Sequence, residues 1–243
     1  MRLIEALFPQ IIKCIFCGEE SEQVGVCDEC YSTLPFISGK TCMFCGGRLT
    51  GDEEVCYDCK SHEILFNQNF CVFEYIDQVK SKILSFKQNG IKNIGHVFAD
   101  FMLEKFKSLD MDFDLVIPVP IHENRLKERG FNQSEILASG IKSFCGKVDT
   151  NIFTRIKDTP HQTGLSRENR EMNLDGAFVV QKGSKLKDKN ILLIDDIYTT
   201  GSTLNECAKS IFLAGAKSVY SLCLARAVIN SSNVLDKDID SQK

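Results

Sequence analysis

A chain of 243 residues, 43% hydrophobic and 26% charged, has the composition of an ordinary globular protein and the length of one main domain plus a small module. Its formal net charge of −4 gives no global attraction to nucleic acid or anionic lipid, so any such binding has to come from a local patch. Residues 1–12 mix apolar side chains with Arg2, Glu5 and Pro9 and are too short for an export signal or a membrane span. No other stretch approaches about 18 consecutive apolar residues. The expectation is a soluble, cytoplasmic protein without membrane insertion.

Eight of the twelve cysteines fall between residues 14 and 59, all as C-x-x-C: Cys14/Cys17, Cys27/Cys30, Cys42/Cys45 and Cys56/Cys59. This spacing lets both thiolates of a tight turn reach one tetrahedral metal, and two turns complete a four-thiolate site. Gly18 and Gly46 directly follow a pair and suit that turn, while the intervals 18–26 and 46–55 each suit a short hairpin. Two sequential zinc ribbons are expected, each holding one structural Zn2+. Crossed pairing, first pair with third and second with fourth, stays open because spacing does not fix connectivity. Disulfides are disfavoured in a chain without an export signal, and iron–sulfur clusters more often use other cysteine spacings. A closed four-thiolate site has no open coordination position, so this module is assigned no catalytic role. Ser38-Gly39-Lys40-Thr41 is a near miss for a nucleotide phosphate loop, but Leu34 stands where the first glycine is required. Cys71, Cys145, Cys207 and Cys223 stand singly among apolar residues and read as core.

Beyond the cysteine pairs, residues 70–75 alternate like a strand, residues 78–86 and 94–106 repeat at helical spacing, and Gly90 separates the two helices. Lys80, Lys82, Lys87 and Lys92 read as a solvated helix face rather than a nucleic-acid patch, because few aromatics are interleaved with them. None of His62, His96, His122 and His161 has metal-ligand spacing. Residues 115–120, Leu-Val-Ile-Pro-Val-Pro, form a buried strand ended by prolines. A basic loop with Arg125 and Arg129 follows, then a helix that Asn132 and Glu135 cap and Ile136, Leu137, Ile141 and Phe144 bury. Two permanently charged arginines after a strand end could meet a diphosphate in bidentate fashion. The polar segment 155–178, with Gln162, Arg167 and Arg170, suits a cover over a charged ligand.

The most informative stretch is 191–204, Ile-Leu-Leu-Ile-Asp-Asp-Ile-Tyr-Thr-Thr-Gly-Ser-Thr-Leu. Four uninterrupted apolar residues fit a strand buried on both faces of a parallel sheet, which puts Asp195 and Asp196 at its carboxyl end, where ligands bind. Thr199, Thr200, Gly201, Ser202 and Thr203 then lead into a helix on which Leu204, Cys207, Ala208, Ile211 and Phe212 recur until Gly215. Orphan amides and the positive end of that helix suit one phosphate group. Carboxylates repel phosphate, so an acidic pair beside a phosphate cradle calls for a ligand with hydroxyls next to its phosphate, which describes a ribose 5-phosphate. A Walker B strand would need a glycine-rich loop elsewhere, and a receiver-type acidic pair would not call for Thr-Thr-Gly-Ser-Thr. Residues 218–225 supply a further strand, and residues 230–243 have the composition of a disordered tail.

The 191–204 stretch resembles the binding loop of the type I phosphoribosyltransferases, which use phosphoribosyl pyrophosphate (PRPP) with Mg2+. That resemblance implies that Asp195 and Asp196 hold the ribose hydroxyls and that Thr199 to Thr203 hold the 5-phosphate. The ordered set of four C-x-x-C pairs, Pro118-Val-Pro120, Arg125-x-x-x-Arg129-Gly-Phe-Asn-Gln133, Thr159-Pro-x-Gln162 through Arg170-x-x-Asn173, the PRPP loop and Leu224-Ala-Arg226-Ala resembles the ComF family of competence proteins over roughly residues 10–227. The family implies a double zinc ribbon, here residues 1–62, joined to an α/β phosphoribosyltransferase domain, here residues 63–229. It also implies a part in importing single-stranded DNA during natural transformation, with DNA and the uptake machinery as partners. Two activities remain open on the sequence: phosphoribosyl transfer to an unidentified acceptor, and PRPP sensing by a non-catalytic, single-strand-binding protein. It leaves the oligomeric state open as well.

Overall fold

The computed structural model describes residues 13–21, 25–89, 92–159 and 172–227. The main sheet orders its strands β1 (Gln68–Glu74), β6 (Ser218–Arg226), β5 (Asn190–Tyr198) and β2 (Leu115–Pro118), every pairing parallel. A single parallel bridge from Val116 to Val148 adds a short segment outside β2. β3 (Phe153–Arg155) and β4 (Phe178–Val180) form a separate antiparallel pair. The helices are α1 (Asp28–Thr33), α2 (Tyr57–Lys60), α3 (Asp77–Asn89), α4 (Lys92–Lys107), α5 (Glu123–Arg129), α6 (Gln133–Leu137), α7 (Ser139–Cys145) and α8 (Ser202–Leu213).

The apolar run of β5 is explained by burial on both sides, since Ile191, Leu192, Leu193 and Ile194 have no exposed surface. Leu192 and Ile194 join the layer formed by Ile83 and Phe86 of α3 and Phe98 and Met102 of α4. Ile191 and Leu193 turn the other way, to Leu204, Cys207, Ala208 and Ile211 of α8. Each such fully buried side chain stabilises by about 1.5–3 kcal/mol. From β2 the chain moves outward to Val148, then returns to place β5 on the other side of β2. That reversal opens a crevice at the carboxyl ends of β2 and β5.

The ribbons pack on the free edge of β1. Ile37 N–H donates to Val72 O at 2.9 Å, Glu74 N–H to Pro35 O at 2.9 Å and Asn69 N–H to Phe44 O at 2.7 Å. Phe16 sets its ring 6.5 Å from that of Phe98 in α4. Gly46 is required at the seam, because a Cβ there would fall 2.5 Å from Asn69 O.

Two local expectations need correction. The residues around Arg125 and Arg129 form helix α5 and not a loop: His122 Nδ1 caps it by accepting from Asn124 N–H, and Gly130, at φ 77°, ends it in the left-handed conformation. The stripe through Phe144 breaks at Ala138, where α6 gives way to α7. Phe144, near the end of α7, is 58% exposed, with Lys107 Nζ 4.8 Å from its ring centre. The expected tail at 230–243 lies outside the described residues.

Candidate functional site

β5 continues past its apolar run through the two acids, so that Asp195 stands opposite Cys223 of β6. β2 has already ended, and Val119 N–H closes it on Ile194 O at 2.9 Å. Both acids therefore border the crevice between the strand ends. Asp195 Oδ1 accepts from the Asp196 amide at 2.8 Å and from the Ser134 hydroxyl at 3.3 Å. Burial first, and the adjacent Asp196 second, push the Asp195 carboxyl up to about 7, against the pull of the Asp196 amide, Lys87 and Ser134. Asp196 has different company: Lys87 Nζ lies 2.9 Å from its Oδ2. Burial, then the charge of Asp196, push the nearby Tyr75 phenol up to about 12.

The following turn holds Thr199, Thr200, Gly201, Ser202 and Thr203 together at the start of α8. Gly201 is the N-cap with φ 81°, and a Cβ on it would fall 2.5 Å from the Tyr198 hydroxyl oxygen. Only glycine meets both conditions. The first bond of the helix runs from Asn205 N–H to Gly201 O at 2.8 Å, so the amides of residues 202–204 have no partner within the helix and point outward from its positive end. The hydroxyl oxygens of Thr200 and Ser202 are 2.8 Å apart. Hydroxyls and amides thus converge on a small volume suited to a phosphate.

Cations line the opposite wall. Arg125 and Arg129 are half-buried, and Arg125 Nη2 donates to Thr159 O at 3.3 Å. Burial lowers the Arg129 pKa, while Asp196 holds it up and Arg125 pulls it down. Arg155, at the end of β3, donates to the Thr159 hydroxyl and lies 5.5 Å from the Phe178 ring centre, and its buried Nε has no partner among the described residues. Burial and then Arg125 lower the Arg155 pKa. Three guanidiniums close enough to repel one another concentrate positive potential beside the acids. Asn132 fixes the floor: its Oδ1 accepts from Ser134 N–H, and its Nδ2 donates to Val119 O at 3.1 Å and to Glu135 Oε1 at 3.3 Å. Gln162, Arg167 and Arg170 lie outside the described residues.

The cysteines gather sequentially. The sulfurs of Cys14, Cys17, Cys27 and Cys30 lie within 4.8 Å of one another, as do those of Cys42, Cys45, Cys56 and Cys59. A tetrahedral ion with Zn–S of about 2.3 Å spaces its sulfurs about 3.8 Å apart. Cys17 to Cys27 at 3.6 Å and Cys45 to Cys56 at 3.7 Å fit that ion. Among the described residues, the antiparallel bridges fall around the first pair of each ribbon, Lys13 to Glu20 and Thr41 to Arg48, rather than within the expected intervals. The second pairs instead open α1 and α2, where Cys27 and Cys56 are N-caps. The second centre reaches the crevice: Arg226 touches the Cys45 sulfur and lies 4.8 Å from the Tyr198 ring centre.

A family model described as a double zinc ribbon domain matches residues 3–60, and one described as a phosphoribosyl transferase domain matches residues 90–242. The chain is 32% identical over 210 residues to competence protein ComFC of Bacillus subtilis, covering 83% of this chain and 84% of that protein. The chain belongs to the ComF family. Competence protein F of Haemophilus influenzae is 28% identical over 224 residues, covering 88% of this chain and 97% of that one. DNA utilization protein YhgH of Escherichia coli K12 is 26% identical over 211 residues, covering 84% and 91%. Among solved structures, a purine phosphoribosyltransferase from Pyrococcus horikoshii aligns with 54% of this chain and 70% of its own, at 18% identity and a TM-score of 0.34. The two family models divide this ComF-family chain into a double zinc ribbon domain and a phosphoribosyl transferase domain.

Four further residues stand at or beside the crevice of this ComF-family chain, and of these Arg226 alone falls in a motif quoted from the sequence. Ser134 and Lys87 reach the acids from α6 and α3, Arg155 acts on Asp195 from β3, and Arg226, in the last position of β6, lies beside Tyr198 instead. A signal existed for Arg226, a charged residue closing the otherwise apolar run Leu222-Cys-Leu-Ala. Lys87 was indistinguishable from its neighbours Lys80 and Lys82.

Proposed function

We propose that the β5 edge binds PRPP with Mg2+ and that the protein transfers its phosphoribosyl group. Asp195 and Asp196 accept hydrogen bonds from the ribose hydroxyls, Thr199 to Thr203 hold the 5-phosphate at the start of α8, and Arg125 and Arg129 meet the pyrophosphate. The bond from C1 to the pyrophosphate oxygen breaks, the electron pair leaves with pyrophosphate, and an acceptor nucleophile bonds to C1. The arginines take up charge growing on the leaving group, and the carboxylates stand near the cationic ribosyl centre. Mg2+, when bound, offsets part of the diphosphate charge. The observation that carries this reading is the meeting of an acidic pair, an anion-binding helix start and a cationic wall at one sheet edge.

The names of the relatives support a cytoplasmic part in DNA uptake during transformation. These names refer to competence and DNA utilization rather than to phosphoribosyl transfer, which favours a second reading, PRPP sensing coupled to contact with single-stranded DNA. We divide the chain accordingly into a ribbon module, 1–62, and a PRPP-binding domain, 63–229. Calorimetric titration with PRPP and Mg2+ tests the shared part. Asp195→Asn with Asp196→Asn should abolish binding and keep the fold by circular dichroism; a double mutant that binds normally refutes the assignment. Pyrophosphate release on screening bases, nucleotides and DNA separates transfer from sensing.

A further inference from the structure

Two carboxylates adjacent in sequence at a half-buried strand end repel each other, and a ligand whose diol needs both as acceptors requires a compensating charge. Lys87 supplies one. It follows Phe86, which is fully buried, in the last turn of α3, so the helix fixes where its ammonium emerges. The pair it makes with Asp196 differs from ordinary surface pairs: the side chains are 21% and 15% exposed, against 71% each for Lys127 and Glu123. Surface pairs contribute little, whereas a shielded pair holds its geometry and charge. Lys87 also acts on Asp195, which rests in addition on Ser134.

Resting on the PRPP reading, we propose that Lys87 is a positioning residue for the pentose diol: its ammonium holds the Asp196 carboxylate in place and offsets its charge, so that Asp195 beside it can face the ligand ionised. Facing the acids from the other packed elements are Tyr75 after β1, Arg129 on α5, Arg155 on β3, Cys207 on α8 and Cys223 on β6. Arg129 and Arg155 crowd against Arg125 on the leaving-group side, and the tyrosine and thiols are neutral near pH 7. Among the described residues, Lys87 is therefore the cation left for the acids once a diphosphate engages the arginines.

The test compares wild type, Lys87→Met and Lys87→Arg by calorimetric titration with Mg2+ and PRPP from pH 6 to 9. PRPP's own titration is common to all three. Lys87→Met should bind at least tenfold more weakly at pH 7, with its affinity midpoint displaced upward by about one pH unit, and Lys87→Arg should restore both. Unchanged affinity and midpoint, or tighter binding by Lys87→Met, overturns the proposal; the latter would make Lys87 a latch that the ligand must displace. The second arm uses the unliganded protein, in which the melting temperature of Lys87→Met should fall more steeply than that of wild type between pH 5 and 8. Parallel melting curves there also overturn it. Wild type that binds no PRPP at any pH refutes the reading of the site, and the melting arm then still decides whether Lys87 sets the charge of the acids.

Discussion

Arg226 lies 4.8 Å from the centre of the Tyr198 ring, and the hydroxyl of that ring occupies the space where Gly201 would carry a side chain. The guanidinium also reaches the Cys45 sulfur and packs against Gly47. One buried side chain thus joins a metal centre to the start of α8. Arg226→Ala should destabilise the protein by about 2–4 kcal/mol through lost packing and weaken PRPP binding as well. Urea unfolding and calorimetry read the two effects; normal affinity in a destabilised variant would show that the turn is set locally.

Gly201→Ala imposes both a left-handed backbone and a clash with Tyr198. The expected cost is about 1–3 kcal/mol, with loss of PRPP binding. Adding Tyr198→Phe removes the hydroxyl oxygen at 2.5 Å and should recover part of the stability but not the binding. Recovery of both would mean that the clash, and not the backbone, governs the turn.

Cys42 has no exposed surface, whereas Cys17 is exposed. Cys42→Ser should lower bound zinc from two ions per chain to one and depress the melting temperature more than Cys17→Ser does. The second ribbon holds Asn69 of β1 through Cys45 O, at 2.8 Å, so its loss reaches the sheet. Metal analysis with thermal melting checks this; equal melting temperatures would detach the ribbon from the stability of the sheet.

The Asp195 carboxyl, near 7 when folded, ordinarily titrates near 3.9. Between these values the folded state binds the extra proton, so stability falls as pH rises from about 4 to about 7 and then levels off. Asp195→Asn removes that dependence. It should match wild type near pH 4 and exceed it at pH 8, by at most about 4 kcal/mol. A stability gap that does not grow with pH would place the Asp195 pKa at its ordinary value.

The acids, the glycine turn and the cysteine pairs were legible in the sequence because each is a local pattern whose spacing dictates its geometry. Leu204, Cys207, Ala208 and Ile211 were legible for the same reason, as one face of one helix. Lys87 and Ser134 were not, since they meet the acids only after α3 and α6 pack on the sheet; Ser134 is 61 positions from Asp195. Helix α5 was missed because seven residues carry little periodicity, although Gly130 after Arg129 marked its end. Phe144 was placed in the core because Ile136 to Phe144 was read as one buried stripe, whereas its burial stops at Ile141 of α7.

β1 would be an open rim of the sheet were it not for Phe36, Ile37 and Phe44, which take its spare hydrogen bonds or bridge to it. Unpaired strand rims recruit other chains. The ions thus guard against self-association: a culture starved of zinc should yield this protein as insoluble aggregates, and a truncation that starts at β1 should need a solubilising partner to be handled at all.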